Sequence, residues 1–275
     1  MSNRNNPRAP DAGSVEKPAE SSCSNEVLFS VANSIARIEI NRPNVANALT
    51  PETTAALSDA FLAADADPEV RVIVVRGCGE KAFCAGFDLK QVRTKLTHPM
   101  KHARRNLHEV ILELEKPTIA AINGAAVGAG CEIALACDLR IAAAGARMGQ
   151  TEAKVGMGGN FGAVLLPQLL PRALALELLY TGRLFTAEEG LAWGLINCVV
   201  PLAELDSHVS ELALVIARNA PLTIRKMKAT AIKSYGLPIA AGLRLNVGPD
   251  PYTSQDRLEG ALAFREKRPP NFKGN

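Results

Sequence analysis

The segment Thr118–Cys137 constrains the fold more than any other part of the chain. Thr118–Ile122 (TIAAI) is continuously apolar, as a strand covered on both faces must be. The glycine-rich turn Asn123–Gly130 follows, then a short apolar helix over Cys131–Cys137 and a further strand at Leu139–Ala143. An earlier unit reads the same way. Val70–Arg76 (VRVIVVR) is a buried strand, Gly77–Asp88 a loop, and a helical stretch begins near Asp88 and continues, broken near Pro99, to Glu115. Strand–loop–helix units in series predict an α/β fold with parallel strands and right-handed crossovers. Ahead of them, Val27–Val31 and Ile35–Ile40 read as a β-hairpin, and Thr50-Pro51-Glu52 starts a helix to about Asp65. From Leu165 the pattern is mostly helical, with breaks at Pro167, Pro171, Gly182, Pro201, Pro221 and Pro238. The expected organisation is an extension over 1–24 with little to bury, a mixed core over 25–200 and a helical C-terminal region over 201–275.

Composition removes several classes of function. A net charge of +3 is too mild to argue for nucleic acid or a membrane surface, and 4% aromatics leave no base-stacking platform. The six cysteines show neither CxxC nor zinc spacing, which predicts reduced thiols and a cytoplasmic protein without a metal. His98 and His102 stand four apart with no third ligand at recognisable spacing, as solvated helix residues would. No run approaches the roughly 20 apolar residues of a membrane span, and Met1–Ser24 lacks the apolar stretch of a secretory signal.

Gly124-x3-Gly128-x-Gly130 between a strand and a helix lets backbone approach a ligand and turns a helix N-terminus toward an anion or oxyanion. Close packing of helix on strand would serve as well. A dinucleotide turn of the short-chain dehydrogenase type makes further demands that fail. The turn does not open the first βα unit, and Tyr180, Tyr235 and Tyr252 are followed four residues on by Leu184, Ile239 and Asp256 instead of lysine. There is no GxSxG elbow and no GxxxxGK[ST] phosphate loop.

Glu132 interrupts the small and apolar run Ala125–Ala136, so its carboxyl should be desolvated and its pKa raised into a range useful for proton transfer. The purely structural alternative is a buried ion pair with an arginine such as Arg140. Glu152, in Gly149-Gln150-Thr151-Glu152, precedes a second glycine-rich loop, Gly156-Met157-Gly158-Gly159; its structural alternative is an ordinary helix-start acid.

Taken in order, the residues resemble the enoyl-CoA hydratase/isomerase (crotonase) superfamily. The similarity runs from about residue 26 to the end. It rests on Ile40-Asn41-Arg42-Pro43, Asn47-Ala48-Leu49, Lys81-Ala82-Phe83-Cys84-Ala85-Gly86-Phe87-Asp88-Leu89 and Lys116–Gly124 (KPTIAAING). It continues through Gly128-Ala129-Gly130-Cys131-Glu132 with Cys137-Asp138, Gly149–Glu152, Tyr180-Thr181-Gly182-Arg183 and Phe264-Arg265-Glu266-Lys267-Arg268. The resemblance implies a spiral of ββα turns with a helical C-terminal region that covers the active site and assembles a trimer or a dimer of trimers.

It also implies that the backbone N–H groups of Phe87 and Ala129 form an oxyanion hole for a thioester enolate. Phe87, Asp88, Leu89 and Lys90 would line the CoA site, and Phe264 and Lys267 would reach CoA from a neighbouring subunit. Glu132 would orient and activate a water whose hydroxyl adds to Cβ, and Glu152 would exchange the Cα proton. No separate cofactor is implied, because coenzyme A is part of the substrate. Two acids favour a hydratase, since isomerases of the family can work with one. Where many hydratases carry Pro-Gly-Ala-Gly-Gly, this chain has Gly159-Asn160-Phe161-Gly162-Ala163, and Thr151 stands where proline is common. These departures keep an isomerase or other acyl-CoA transformation as the alternative, with a non-catalytic acyl-CoA-binding protein more remote. The region 91–108 would shape the acyl pocket.

Overall fold

The computed structural model describes residues 26–91 and 105–275. The N-terminal extension, His98, His102 and most of the expected acyl-pocket region lie outside the described residues. Strands β1 (Val27–Ala32) and β2 (Ile35–Ile40) pair antiparallel. Asn33 and Ser34 join them with φ of 53° and 61°, the left-handed pair that matches a hairpin's twist. Helix α1 (Pro51–Ala66) follows, its N-cap Thr50 accepting the Thr53 N–H at 3.1 Å.

A repeated ββα unit then builds the core. It comprises β3 (Val72–Gly77), β4 (Ala82–Cys84) and α2 (Leu107–Glu113); β5 (Thr118–Ile122), β6 (Ala125–Val127) and α3 (Ala129–Ala136); and β7 (Leu139–Ala143), β8 (Arg147–Gly149) and α4 (Glu152–Val155). The first strand of each unit enters one sheet and the second strand another. With α5 (Asn160–Leu169), α6 (Arg172–Thr181), β9 (Phe185–Thr186), α7 (Ala187–Ala192) and β10 (Cys198–Val200), the sheets reach the orders β1-β2-β3-β5-β7-β10 and β4-β6-β8-β9. Pairing from β2 through β10 in the larger sheet is parallel, as expected. Helices α8 (Leu205–Ala217), α9 (Pro221–Lys233), α10 (Ile239–Gly242) and α11 (Gln255–Glu266) complete the chain. Among the described residues no helix is long and apolar enough to cross a membrane.

Both faces of the larger sheet are covered, which explains its near-continuous apolar strands. Ile73, Val75, Ala120 and Ile122 face a core with Leu57, Phe61, Phe83, Leu107 and Ile133. Their neighbours Val72, Val74, Ile119 and Ala121 face the opposite way, onto Leu205, Val209 and Ala213 of α8.

Several expectations are corrected. Asn123–Gly130 is not a plain turn, because Ala125–Val127 pairs in parallel with β4 and β8. Small alanines lie on both faces of that strand, so no alternation betrays it. No regular helix begins at Asp88: Phe87 bridges to Leu49, and Leu89–Gln91 is a single 3-10 turn. Among the described residues the next helix is α2, from Leu107, behind a capping box in which Asn106 and Glu109 each accept the other's backbone N–H. Pro167 lies inside α5 rather than ending it, and the two short strands β9 and β10 lie within the stretch that reads as mostly helical.

Two buried asparagines tie the strand ends together. Asn123 accepts the Gly77 N–H at 3.1 Å and donates to Gly79 O at 2.7 Å and Ala82 O at 3.2 Å. Asn47 accepts the Arg42 N–H at 2.9 Å and donates to Cys78 O at 3.0 Å and Ala82 O at 2.8 Å. Buried backbone groups that lose such partners are costly. Asn123→Ala is therefore expected to lower stability by about 2–4 kcal/mol in denaturant unfolding; an unchanged midpoint would contradict this.

Candidate active site

The site forms where β4 and β6 run side by side and leave their sheet. Leu49 donates to Gly86 O at 2.8 Å and accepts the Asp88 N–H at 2.9 Å, the two bonds of a parallel bridge that flanks Phe87. In that pattern Phe87's own N–H points away from Leu49. On that other side Gly86 abuts the β6–α3 turn: a Cβ built on it would lie 2.8 Å from Val127 O and 3.5 Å from Ala129 N. Gly86 also needs its φ of 89°, which side chains resist. One residue into α3, a Cβ on Gly130 would meet Cys84 O at 2.1 Å. Only glycine permits that approach. Ala129 is the first residue of α3, where an N–H has no acceptor within the helix. The N–H of Phe87 and that of Ala129 are thus brought to the same small region, and the positive end of α3 lies there too.

Glu132 stands one turn into α3, only 7% exposed. Its Oε1 accepts the Gly162 N–H at 2.8 Å. Burial pushes its pKa up, against the N–H groups of Gly162 and Phe161, which favour the carboxylate. The ion-pair alternative fails, because the Arg140 guanidinium donates to main-chain carbonyls: Leu195 and Cys137 at 2.6 Å each, with Ala134 at 3.3 Å and Asp138 at 3.4 Å. Among the described residues no lysine or arginine pairs with Glu132.

Glu152 begins the four-residue α4, so it is a helix-start acid, but its carboxyl also turns onto the α3 N-terminus. A Cβ on Gly128 would lie 3.0 Å from Glu152 Oε1. Gln150, 2% exposed, donates to both Glu152 oxygens, at 3.2 and 3.0 Å, when its amide takes the orientation that satisfies its O and N. Burial raises the Glu152 pKa, its own N–H opposes this, and the charge of Glu132 raises it further.

His108 on α2 completes the cluster. Its Nε2 is 3.5 Å from Glu132 Oε2, and its ring stacks on Phe161 with centroids 5.0 Å apart. Sequence reasoning placed His108 only at the edge of the acyl-pocket region, and passed over Gln150 and Phe161 as chemistry. The signal for His108 was a histidine on the buried side of an apolar helix, which acquires a partner only in three dimensions.

Asp88, Leu89 and Lys90 continue from Phe87 along an exposed rim, with Asp88 Oδ1 accepting the Lys90 N–H at 3.1 Å. Phe264 and Lys267 lie on and just after α11. Phe264 is 85% exposed and Lys267 caps the helix with φ 54°. A cavity of about 330 Å³ lies elsewhere, lined by Asp65, Arg71, Lys116, Arg225 and Lys273, and includes none of these residues. Arg71 there donates to Ala217 O and Phe272 O, and Lys116 to Ala64 O and Asp67 O, so the cavity is a seam between the core and the C-terminal segment.

A family model described as enoyl-CoA hydratase/isomerase matches residues 30–275. The chain belongs to the crotonase superfamily. The (E)-benzylidenesuccinyl-CoA hydratase of Thauera aromatica is 39% identical over 256 residues, which cover 90% of this crotonase and 99% of that protein. The carnitinyl-CoA dehydratase of Salmonella paratyphi A is 40% identical over 249 residues, 87% of this chain and 95% of the other. The solved enoyl-CoA hydratase of Bacillus anthracis matches with a TM-score of 0.85 at 35% identity, covering 91% of this chain and all (100%) of that one. This crotonase is therefore an enzyme of a hydratase-like family, with the ββα spiral that family has.

Both glutamates hold their protons above the unfolded glutamate value of about 4.3. Their contribution to stability is full below that value and is lost as pH rises through the folded values. The variant Glu132→Gln/Glu152→Gln has no such protons to lose. Its stability relative to wild type should rise between about pH 4 and pH 7 in denaturant unfolding; a difference independent of pH would count against raised values.

Proposed function

We propose that this crotonase is an enoyl-CoA hydratase, adding water reversibly to a trans-2-enoyl-CoA thioester to give a 3-hydroxyacyl-CoA. The observation that carries this reading is the pair of desolvated carboxyls at the N-terminus of α3, beside the N–H groups of Phe87 and Ala129. In the proposed reaction the thioester oxygen accepts hydrogen bonds from those two N–H groups. Charge that develops there on enolate formation meets donors already in place. Glu132, held by two main-chain N–H groups, is the acid of the pair that ionises, and its charge helps Glu152 keep a proton.

Ionised Glu132 takes a proton from a water whose oxygen bonds to Cβ. The double-bond electrons pass to the thioester oxygen, then return as Glu152 delivers its proton to Cα. Proton exchange with solvent restores both acids. Asp88, Leu89 and Lys90 hold the CoA moiety in this reading. Phe264 and Lys267 reach it from a neighbouring subunit of a homotrimer or a dimer of trimers, which the high exposure of Phe264, Ile239 and Leu243 supports. The free thiols of Cys78, Cys84, Cys131, Cys137 and Cys198 fit a reducing, cytoplasmic setting.

A second reading, an isomerase or other acyl-CoA transformation, is favoured by one feature: Phe161, in the departing 159–163 segment that opens α5, packs against His108 beside Glu132. A panel of straight-chain enoyl-CoAs, (E)-benzylidenesuccinyl-CoA and carnitinyl-CoA, read by product mass, separates the readings. Hydration gains one water, dehydration loses one, and isomerisation leaves the mass unchanged. Glu132→Gln and Glu152→Gln are each expected to lower kcat by about 10²–10⁴. Full activity in either variant would remove that residue from the mechanism, and thioester binding without turnover across the panel would favour a non-catalytic binder.

A further inference from the structure

The two oxygens of the Glu132 carboxyl have different neighbours. Oε1 accepts the Gly162 N–H at 2.8 Å, whereas Oε2 faces His108 Nε2 at 3.5 Å. The same Nε2 lies 3.4 Å from Ala129 O. A carbonyl can only accept, so the ring hydrogen is on Nε2, where it is shared between Ala129 O and the carboxylate. The ring cannot swing away, being 7% exposed and stacked on Phe161 at an interplanar angle of 24°. The capping box at Asn106 and Glu109 fixes the helix turn that carries it.

We propose that His108 is a positioning residue for Glu132: with the Gly162 N–H it clamps the carboxylate between α2 and the 160–162 segment and sets the direction of its water-facing lone pair. The proposal rests on the reading of Glu132 as the water-activating group. His108 acts as a neutral donor, not as a charge, because burial depresses its pKa to about 4. Ala129 ties the clamp to the oxyanion site, since the residue whose O accepts from His108 also offers its N–H to the thioester. Both contacts are longer than the usual optimum of about 2.9 Å, and the one to Glu132 shortens as the carboxylate ionises. The other titratable groups that face the pair, among the described residues, are Glu109 on α2, Cys131 on α3 and Glu152 on α4.

A donor to the charged form lowers a carboxyl pKa, so removing it raises that pKa. His108→Leu is expected to lower kcat about tenfold or more with KM little changed, and to move the acid limb of the pH–rate profile to higher pH. His108→Gln, which keeps an N–H of similar reach, should restore most of both. A fall in kcat with no movement of the acid limb would mean a merely structural role and overturn the proposal, as would a His108→Leu enzyme indistinguishable from wild type. If the leucine variant does not fold, His108→Asn, polar but too short to reach Glu132, takes its place. Titrating the Glu132 carboxyl by 13C NMR in glutamate-labelled protein, assigned with Glu132→Gln, gives a readout that needs no turnover. Its pKa rises in His108→Leu if the clamp exists and stays put if it does not. A protein that hydrates nothing in the panel but shows this rise would refute the hydratase reading and leave the clamp standing.

Discussion

The site depends on how closely two pieces of main chain approach each other. The end of β4 and the start of α3 touch through Gly86 and Gly130, where any side chain would strike Val127 O or Cys84 O. That contact brings Phe87 and Ala129, more than forty residues apart in sequence, into neighbouring stretches of main chain. Larger residues at either glycine would separate the strand end from the helix start before affecting any catalytic side chain. The two sheets serve this geometry: each ββα unit delivers one strand to the larger sheet and a second to the smaller, whose β4–β6 pairing holds the approach in register.

Electrostatics at the site follow from what is withheld as much as from what is supplied. Arg140, close in sequence, is occupied by four main-chain carbonyls, and among the described residues neither carboxyl has a lysine or arginine partner. Desolvation therefore dominates and lifts both pKa values. Main-chain N–H groups at Gly162 and Phe161 partly offset this for Glu132, while the charge of Glu132 adds to it for Glu152. Both carboxyls are raised, Glu132 against two main-chain donors and Glu152 against its own N–H and with the added charge of Glu132.

Much of this was legible in the sequence, and the reasons are local. TIAAI and VRVIVVR read as strands because both faces of the sheet are covered, and Glu132 stood out because everything around it is small or apolar. The second sheet was nearly invisible. Ala125–Val127, Arg147–Gly149 and Phe185–Thr186 are too short for a periodic signal, and the first carries alanines on both faces. Pro167 misled because its helix tolerates proline in mid-course. His108 and Gln150 could not be recognised as partners of Glu132 and Glu152, since His108 stands more than twenty residues before Glu132 and a glutamine near a glutamate is unremarkable in sequence. Where partners meet only in space, composition and spacing carry no trace of them.

The central claim is that two desolvated acids and two backbone donors add water across a conjugated thioester. Turnover of an enoyl-CoA in water enriched in 18O tests it most directly. Hydration predicts a 3-hydroxyacyl-CoA carrying one heavy oxygen in its hydroxyl group, formed by wild type and lost in Glu132→Gln. A product of unchanged mass, or a wild-type enzyme that binds the thioester and leaves it unlabelled, would contradict it.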